Sequence, residues 1–217
     1  MSQPLSEARP AARTCSFGPL LVEYDERVLT PRAWTLEQST WAAELAADAA
    51  AGPILELCAG AGQIGLAAAV LADRDLVQVE ADPVAAGYAV ANAARAGRRG
   101  RVEVRTGHLS GALRPEERFP LVIADPPYLP TVDVERWPED PVTAIDGGAD
   151  GLDVIRTCLE VAAAHLDAGG HLLLQVAGPL QAERVGELLG AVPGPRLRRQ
   201  ALRIIDEERA ILLLAPG

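Results

Sequence analysis

The chain of 217 residues contains no lysine; all 20 of its basic residues are arginine. Without lysine there is no Tyr-x-x-x-Lys pair, so the hydride-transfer enzymes built on that pair find little support. Aromatic residues make up 4% of the chain, and a hydrophobic content of 49% must therefore assemble its core mainly from alanine, leucine and valine. Cysteine is scarce. Cys15, Cys58 and Cys158 are odd in number and widely spaced, which gives neither a disulfide framework nor metal-ligand spacing and fits a reducing, cytoplasmic setting. No apolar run approaches a membrane span, and the first thirty residues carry Pro, Glu and Arg without an apolar signal core. Positive charge is short as well: the net charge of -10 argues against the broad phosphate-binding surface that nucleic-acid binding needs. Arginine-rich patches around Arg95 to Arg105 and Arg196 to Arg203 are surrounded by acidic residues and read as solvated faces.

What is present is a rhythm. The length suits one well-buried core, with residues 1–16 expected as a loose tail, 17–51 as a hairpin and helix packed on the rest, and 52–217 as the main domain. Leu20 to Leu29, turning at Asp25-Glu26, reads as a short hairpin. Thr35 to Ala51 reads as a helix capped by Thr35, with Gln38 at the third position after it and Leu36, Trp41, Ala42 and Leu45 at helical spacing. Strands are expected at Ile54 to Cys58, Leu76 to Glu80, Val102 to Thr106, Phe119 to Ala124, His171 to Val176, Leu202 to Ile205 and Ala210 to Leu214. Helices fall near Ile64 to Leu71, Pro83 to Ala96, Gly151 to His165 and Leu180 to Leu189. That βαβ alternation predicts a mainly parallel sheet covered on both sides.

Two stretches carry chemistry. Asp125-Pro126-Pro127-Tyr128 closes the apolar run ending at Ala124. The prolines stiffen the turn and leave carbonyls free to accept from an NH2 group, Asp125 adds a further acceptor, and Tyr128 offers a face for stacking. Such a notch suits a flat amine or amide. The second stretch, Glu56 to Gly65, follows a strand and opens a helix, and its Gly60, Gly62 and Gly65 let backbone N–H groups approach a ligand closely. Gly-x-Gly-x-x-Gly also serves dinucleotide enzymes, so a nicotinamide oxidoreductase remains an alternative. Glu56 before the turn suits a cationic ligand better than a pyrophosphate, and Glu80 at the next strand end can accept both ribose hydroxyls of a nucleoside.

With these residues in view, the chain resembles the class I S-adenosylmethionine-dependent methyltransferases and, among them, the HemK-like protein-glutamine N5-methyltransferases, over roughly residues 20 to 217. Val28-Leu29-Thr30-Pro31-Arg32 with Thr35 is similar to that family's entry segment; Asp146-Gly147-Gly148-Ala149-Asp150-Gly151-Leu152 is similar to its Asp-Gly-Gly-x-Asp-Gly-Leu stretch, and Asp206 to Leu213 to its final strand pair. The resemblance implies a Rossmann-like α/β fold with a seven-stranded, mostly parallel sheet, an antiparallel last strand, helices on both faces, and S-adenosyl-L-methionine as cofactor. It implies that Ala59, Gly60 and Gly62 line the methionine part of the cofactor, that Glu56 lies near its cationic side, that Glu80 holds the ribose and Ala81 lies under the adenine, and that His108 and Leu109 border the adenine edge. Arg32 and Thr35 would help close the site, and Asp125, Pro126, Pro127 and Tyr128 would form the catalytic turn. No metal is implied.

The chain departs from the family at two of these positions. Where the family often has Asp, His108 stands. Where the glutamine enzymes have Asn before Pro-Pro-Tyr, this chain has Asp125, as do amino-methyltransferases acting on nucleic-acid bases; ionised Asp only accepts and favours a target rich in N–H. The acceptor is therefore expected to be a planar amide or amino nitrogen, in a glutamine side chain of a protein or in a small molecule, with a partner protein as one source of substrate recognition. About thirty residues ahead of the catalytic part are too few for the helical substrate domain of the resembled enzymes. The alternatives from other classes are a small-molecule methyltransferase or other user of the sulfonium cofactor, a non-catalytic cofactor-binding scaffold, and the oxidoreductase.

Overall fold

A computed structural model describes residues 10–217. Most of the expected tail, residues 1–9, lies outside that range, and its remainder is not loose: Arg13–Phe17 forms β1, which pairs antiparallel with β2, Leu20–Tyr24. The hairpin therefore turns at Gly18-Pro19, one strand earlier than the expected turn at Asp25-Glu26. Asp25 instead accepts from the Tyr88 hydroxyl (2.7 Å) and pairs with Arg27 (2.6 Å), which anchors the hairpin to the helix that carries Tyr88.

The main sheet comprises β3 Ile54–Leu57, β4 Leu76–Glu80, β5 Val102–Thr106, β6 Phe119–Ala124, β7 Leu166–Val176, β8 Leu197–Asp206 and β9 Arg209–Pro216. Its spatial order is β5-β4-β3-β6-β7-β9-β8, with β9 antiparallel to both of its neighbours and β3 to β7 mutually parallel. The chain winds outward from β3 to β5, returns to β6 on the other side of β3, and so leaves a topological switch point between β3 and β6, where parallel α/β sheets characteristically open a ligand crevice at the strands' carboxyl ends.

The helices are α1 Leu36–Asp48, α2 Gln63–Leu71, α3 Pro83–Arg95, the single turn α4 Val142–Ile145, α5 Asp153–His165 and α6 Gly178–Leu188. Alternation along the strands divides the core. Ile54, Leu76, Leu121, Ile123 and Leu173 pack with α1, α2, α3 and the hairpin, while Leu55, Leu57, Val122, Ala124 and Leu174 pack with α5 and α6. Each such Leu, Ile or Val fully withdrawn from water contributes about 1.5–3 kcal/mol, which is how a core this poor in aromatics holds. Local rules place the helix starts: Asp82 caps α3 by accepting from Val84 N–H (2.9 Å), with Pro83 at its first position. Thr35 does not cap α1. A 3-10 turn over Ala33–Thr35 runs into the helix and puts Thr35 in helical backbone, so its hydroxyl donates to the Arg32 carbonyl (2.8 Å), and Gln38 is freed for another task.

Candidate active site

Asp125 follows the last residue of β6, and the alternation of that strand points it to the α1/α2 face. Two elements hold the strand end there. Gln38, fully buried on α1, donates to the carbonyls of Ala124 and Leu173, both at 3.0 Å, joining β6 to β7 immediately before the turn. The Asp-Gly-Gly-x-Asp-Gly-Leu loop holds it from the other side. Leu129 N–H donates to Ile145 C=O (3.0 Å), Gly147 N–H to Leu129 C=O (2.8 Å), and Gln181 on α6 donates to the carbonyls of Tyr128 (2.9 Å) and Gly151 (3.1 Å). Asp146 accepts from Gly148 N–H (2.9 Å) and from the Thr131 hydroxyl (2.8 Å). A Cβ at Gly147 would stand 2.8 Å from Pro127 O and 2.9 Å from Tyr128 Cα, so only glycine lets this loop lie on the turn. The motif thus has a structural reason to exist: it is the backing of Asp125-Pro126-Pro127-Tyr128.

The Asp125 carboxylate accepts no hydrogen bond from any described residue, and desolvation pushes its pKa up to about 7. Burial likewise pushes Tyr128 well above the usual phenol range. Together with Pro126 and Pro127 they border a cavity of about 500 Å³, whose other walls include Arg32, Trp34, Thr35, Gln63, Trp137 and Asp140. Arg32 donates through Nη2 to both oxygens of Asp140 (2.8 and 2.7 Å), linking the segment before α1 to the 129–150 loop across the mouth. Arg209, the first residue of β9, lies 4.8 Å over the Trp34 ring, and Glu207 and Glu208 of the β8–β9 turn border the same cavity. Trp41, by contrast, is buried, with the Arg203 guanidinium 4.1 Å from its ring.

The Gly-rich turn occupies the neighbouring strand end. The register Leu57 to Val79 and Leu57 to Ala124 sets Ala59 to Gly62, Glu80 and Asp125 at the carboxyl ends of three adjacent strands. Glu80 accepts from Gly60 N–H (2.6 Å) and Asp82 N–H (2.8 Å), while burial raises its pKa. Glu56 is 2% exposed and has both oxygens engaged, one by Gly65 N–H (2.8 Å) and one by Gln78 Nε2 (2.6 Å). It braces the turn from beneath, and burial lifts it to about 7, with the charges of Asp125 and Glu80 adding to the rise. Gly62 has φ +81°, and a Cβ there would meet Gln78 Nε2 at 2.7 Å and Ala89 Cβ at 2.9 Å. Cys58 takes a left-handed φ of +57° without being glycine, and its sulfur lies 3.9 Å from that of Cys158 on α5. Left-handed backbone at a residue with a Cβ costs of the order of 1 kcal/mol and marks a place where the chain is forced to turn.

His108 is exposed; its Nδ1 lies 2.8 Å from Ser110 Oγ and caps the short 3-10 turn that follows β5. Leu109 is buried against α5. The structure therefore joins Arg32, Thr35, Asp125, Pro126, Pro127 and Tyr128 around one cavity and sets Glu56, Ala59, Gly60, Gly62, Glu80 and Ala81 along the adjoining strand ends, with Gln63 and Asp125 at the seam. Sequence reading missed Gln63, Asp140, Gln181 and the Glu207-Glu208-Arg209 rim. Only Gln63, directly after Gly62 in the turn, carried a positional signal. Among the described residues no group of His, Cys, Asp and Glu could hold a metal ion, and no helix is long and apolar enough to cross a membrane.

This arrangement defines a class I methyltransferase fold: seven strands in the order given, helices on both faces, and a Gly-rich turn beside an acidic strand end. Solved structures agree. The hMettl16 catalytic domain in complex with a MAT2A 3′UTR hairpin superposes at a TM-score of 0.71 with 15% identity, covering 91% of this chain and 75% of that one. The CcbJ methyltransferase from Streptomyces caelestis gives 0.64 with 14% identity, covering 86% and 91%. In sequence, the chain is similar to glutamine methyltransferases. It is 39% identical over 141 residues to the release factor glutamine methyltransferase of Geobacter sulfurreducens, covering 62% of this chain and 48% of that protein. It is 37% identical over 166 residues to the one of Mycolicibacterium smegmatis (72% and 57%), and 33% identical over 129 residues to the ribosomal protein uL3 glutamine methyltransferase of Bordetella pertussis (56% and 42%). The chain spans about half the length of these relatives. No protein-family model matches it.

Proposed function

We propose that this chain is an S-adenosylmethionine-dependent N-methyltransferase acting on a planar amide or amino nitrogen, with a glutamine side-chain amide as the best-supported acceptor. The observation that carries the reading is a single carboxylate, Asp125, bare of hydrogen bonds among the described residues, bordering the cavity on one side and adjoining the Gly-rich turn on the other. The residues present fit the cofactor. A Cβ at Gly60 would meet nothing within 4 Å, so the turn borders open space, and Glu80 stands at the end of β4, where carboxylates accept ribose hydroxyls.

When bound, the cofactor supplies a methyl group already activated on sulfur for displacement. The chain's own task is then placement: holding two reactants in line contributes roughly 7–11 kcal/mol to a barrier. Asp125 and the Pro126 carbonyl would receive the N–H groups of the acceptor, Tyr128 would stack on its plane, and the carboxylate would stabilise positive charge growing on nitrogen by a few kcal/mol. Glu56 would act through the turn it braces. A cavity of about 500 Å³ also suits a small-molecule acceptor bordered by Trp34 and Trp137.

Titration calorimetry with S-adenosylhomocysteine and with NAD tests the class; tight NAD binding without S-adenosylhomocysteine binding overturns it. Labelled methyl transfer into a lysate separated into protein, nucleic acid and metabolites tests the acceptor. Label in the protein fraction supports the glutamine reading, and label in metabolites the small-molecule one. Asp125→Ala and Tyr128→Ala should abolish transfer while sparing cofactor affinity more than Glu80→Ala does.

A further inference from the structure

Gln63 is the first residue of α2 and directly follows Gly62, so it sits where the Gly-rich turn meets the cavity wall beside Asp125. Its amide is unsatisfied. Among the described residues neither Oε1 nor Nε2 has a hydrogen-bond partner, and Oε1 is the fully buried one of the two, which leaves the N–H donors as the end with access to the cavity that Gln63 borders. No part of the site as built so far uses this side chain.

We propose that Gln63 is a positioning residue that donates to the acceptor's own oxygen while Asp125 receives its NH2, so that the two together select a primary carboxamide. The proposal rests on the N-methyltransferase reading and narrows its substrate class. An ionised Asp125 only accepts, and Gln63 offers N–H toward the cavity. A carboxamide presents an NH2 and a C=O side by side and satisfies both. An ammonium or guanidinium group has donors only and leaves the Gln63 N–H facing nothing. A carboxylate has acceptors only and meets the like charge of Asp125.

The test uses the full chain with a short blocked glutaminyl peptide, and the matching glutamyl and arginyl peptides as comparators. Gln63→Leu and Gln63→Glu both remove the donors; Gln63→Asn keeps the amide on a shorter stem and guards against a folding defect at the helix start. Expected are a 10- to 100-fold rise in KM for the glutaminyl peptide in both donor-less variants, partial recovery in Gln63→Asn, and S-adenosylhomocysteine affinity within twofold of the unsubstituted protein. Unchanged KM overturns the assignment, as does a rise confined to Gln63→Leu, because glutamate retains the acceptors. A loss of S-adenosylhomocysteine affinity places Gln63 on the cofactor side and also overturns it. Methylation of the arginyl peptide in preference to the glutaminyl one overturns the carboxamide selection. If the unsubstituted protein binds no S-adenosylhomocysteine at all, the methyltransferase reading itself fails and this proposal with it.

Discussion

A buried carboxyl group with no hydrogen-bond partner among the described residues is an expense the fold carries at Asp125. Burial raises its pKa to about 7, above that of the unfolded chain, so the native protein keeps a proton there that the unfolded chain has already lost. Stability therefore falls as pH climbs from about 4 to about 7 and levels beyond. Activity runs the other way, because only the ionised carboxylate accepts with both oxygens and stabilises the positive charge growing on the acceptor nitrogen, and transfer should rise through an apparent pKa near 7. Asp125→Asn should flatten that limb in a kcat/KM profile and raise unfolding free energy by about 1–3 kcal/mol at pH 8, with little change at pH 4, measured by urea denaturation. Glu56 titrates in the same range, so part of the stability slope should survive the substitution. Glu56→Ala is a different matter. It strips the acceptor from Gly65 N–H and from Gln78, and should cost about 2–4 kcal/mol.

At the scale of elements, the turn and the loop behind it work as one piece. Gly147→Ala would drive a Cβ into Pro127 O and Tyr128 Cα and should lower kcat at least tenfold while S-adenosylhomocysteine affinity, read by calorimetry, holds. Arg32→Ala should do less. Its pair with Asp140 is partly exposed, so stability should change by no more than about 1 kcal/mol, with the effect appearing in KM and in faster proteolysis of the 129–150 loop. Much of this layer was legible in the sequence, for physical reasons. Residues 76–80 and 119–124 are short, mostly apolar runs and 102–106 alternate valine with polar residues, and all three form strands at those limits. Other parts were not legible. The strand expected to begin at His171 begins at Leu166, because Phe119 pairs with Leu166 and Leu121 with His171 across an irregular register that no local propensity encodes. Thr35 read as a cap, and a preceding 3-10 turn overrode it. Gln38 read as half of a capping box, and its long-range bonds to β6 and β7 depend on tertiary contacts invisible to spacing. The Asp140 and Arg209 contributions share that cause, since the fold brings them to the cavity from separate segments, whereas Gln63 stood directly after Gly62 in the Gly-rich stretch.

Over the whole molecule, the switch point between β3 and β6 does what the Gly-rich turn alone could not, since it sets that turn and the Asp-Pro-Pro-Tyr turn at one edge of one sheet. A cofactor bound there contacts native chain only. S-adenosylhomocysteine at one hundred times its Kd should therefore stabilise the protein by about 2.7 kcal/mol, a rise in Tm of roughly 5–10 °C by scanning calorimetry, and Glu80→Ala should abolish the shift. The most direct measurement is a crystal structure of the chain with S-adenosylmethionine bound. The ribose hydroxyls should lie within hydrogen-bond distance of Glu80, with the sulfonium methyl directed at the space between Asp125 and Tyr128. A sulfonium that faces away from Asp125, or a ligand seated anywhere other than the β3–β6 crevice, would contradict the shared site.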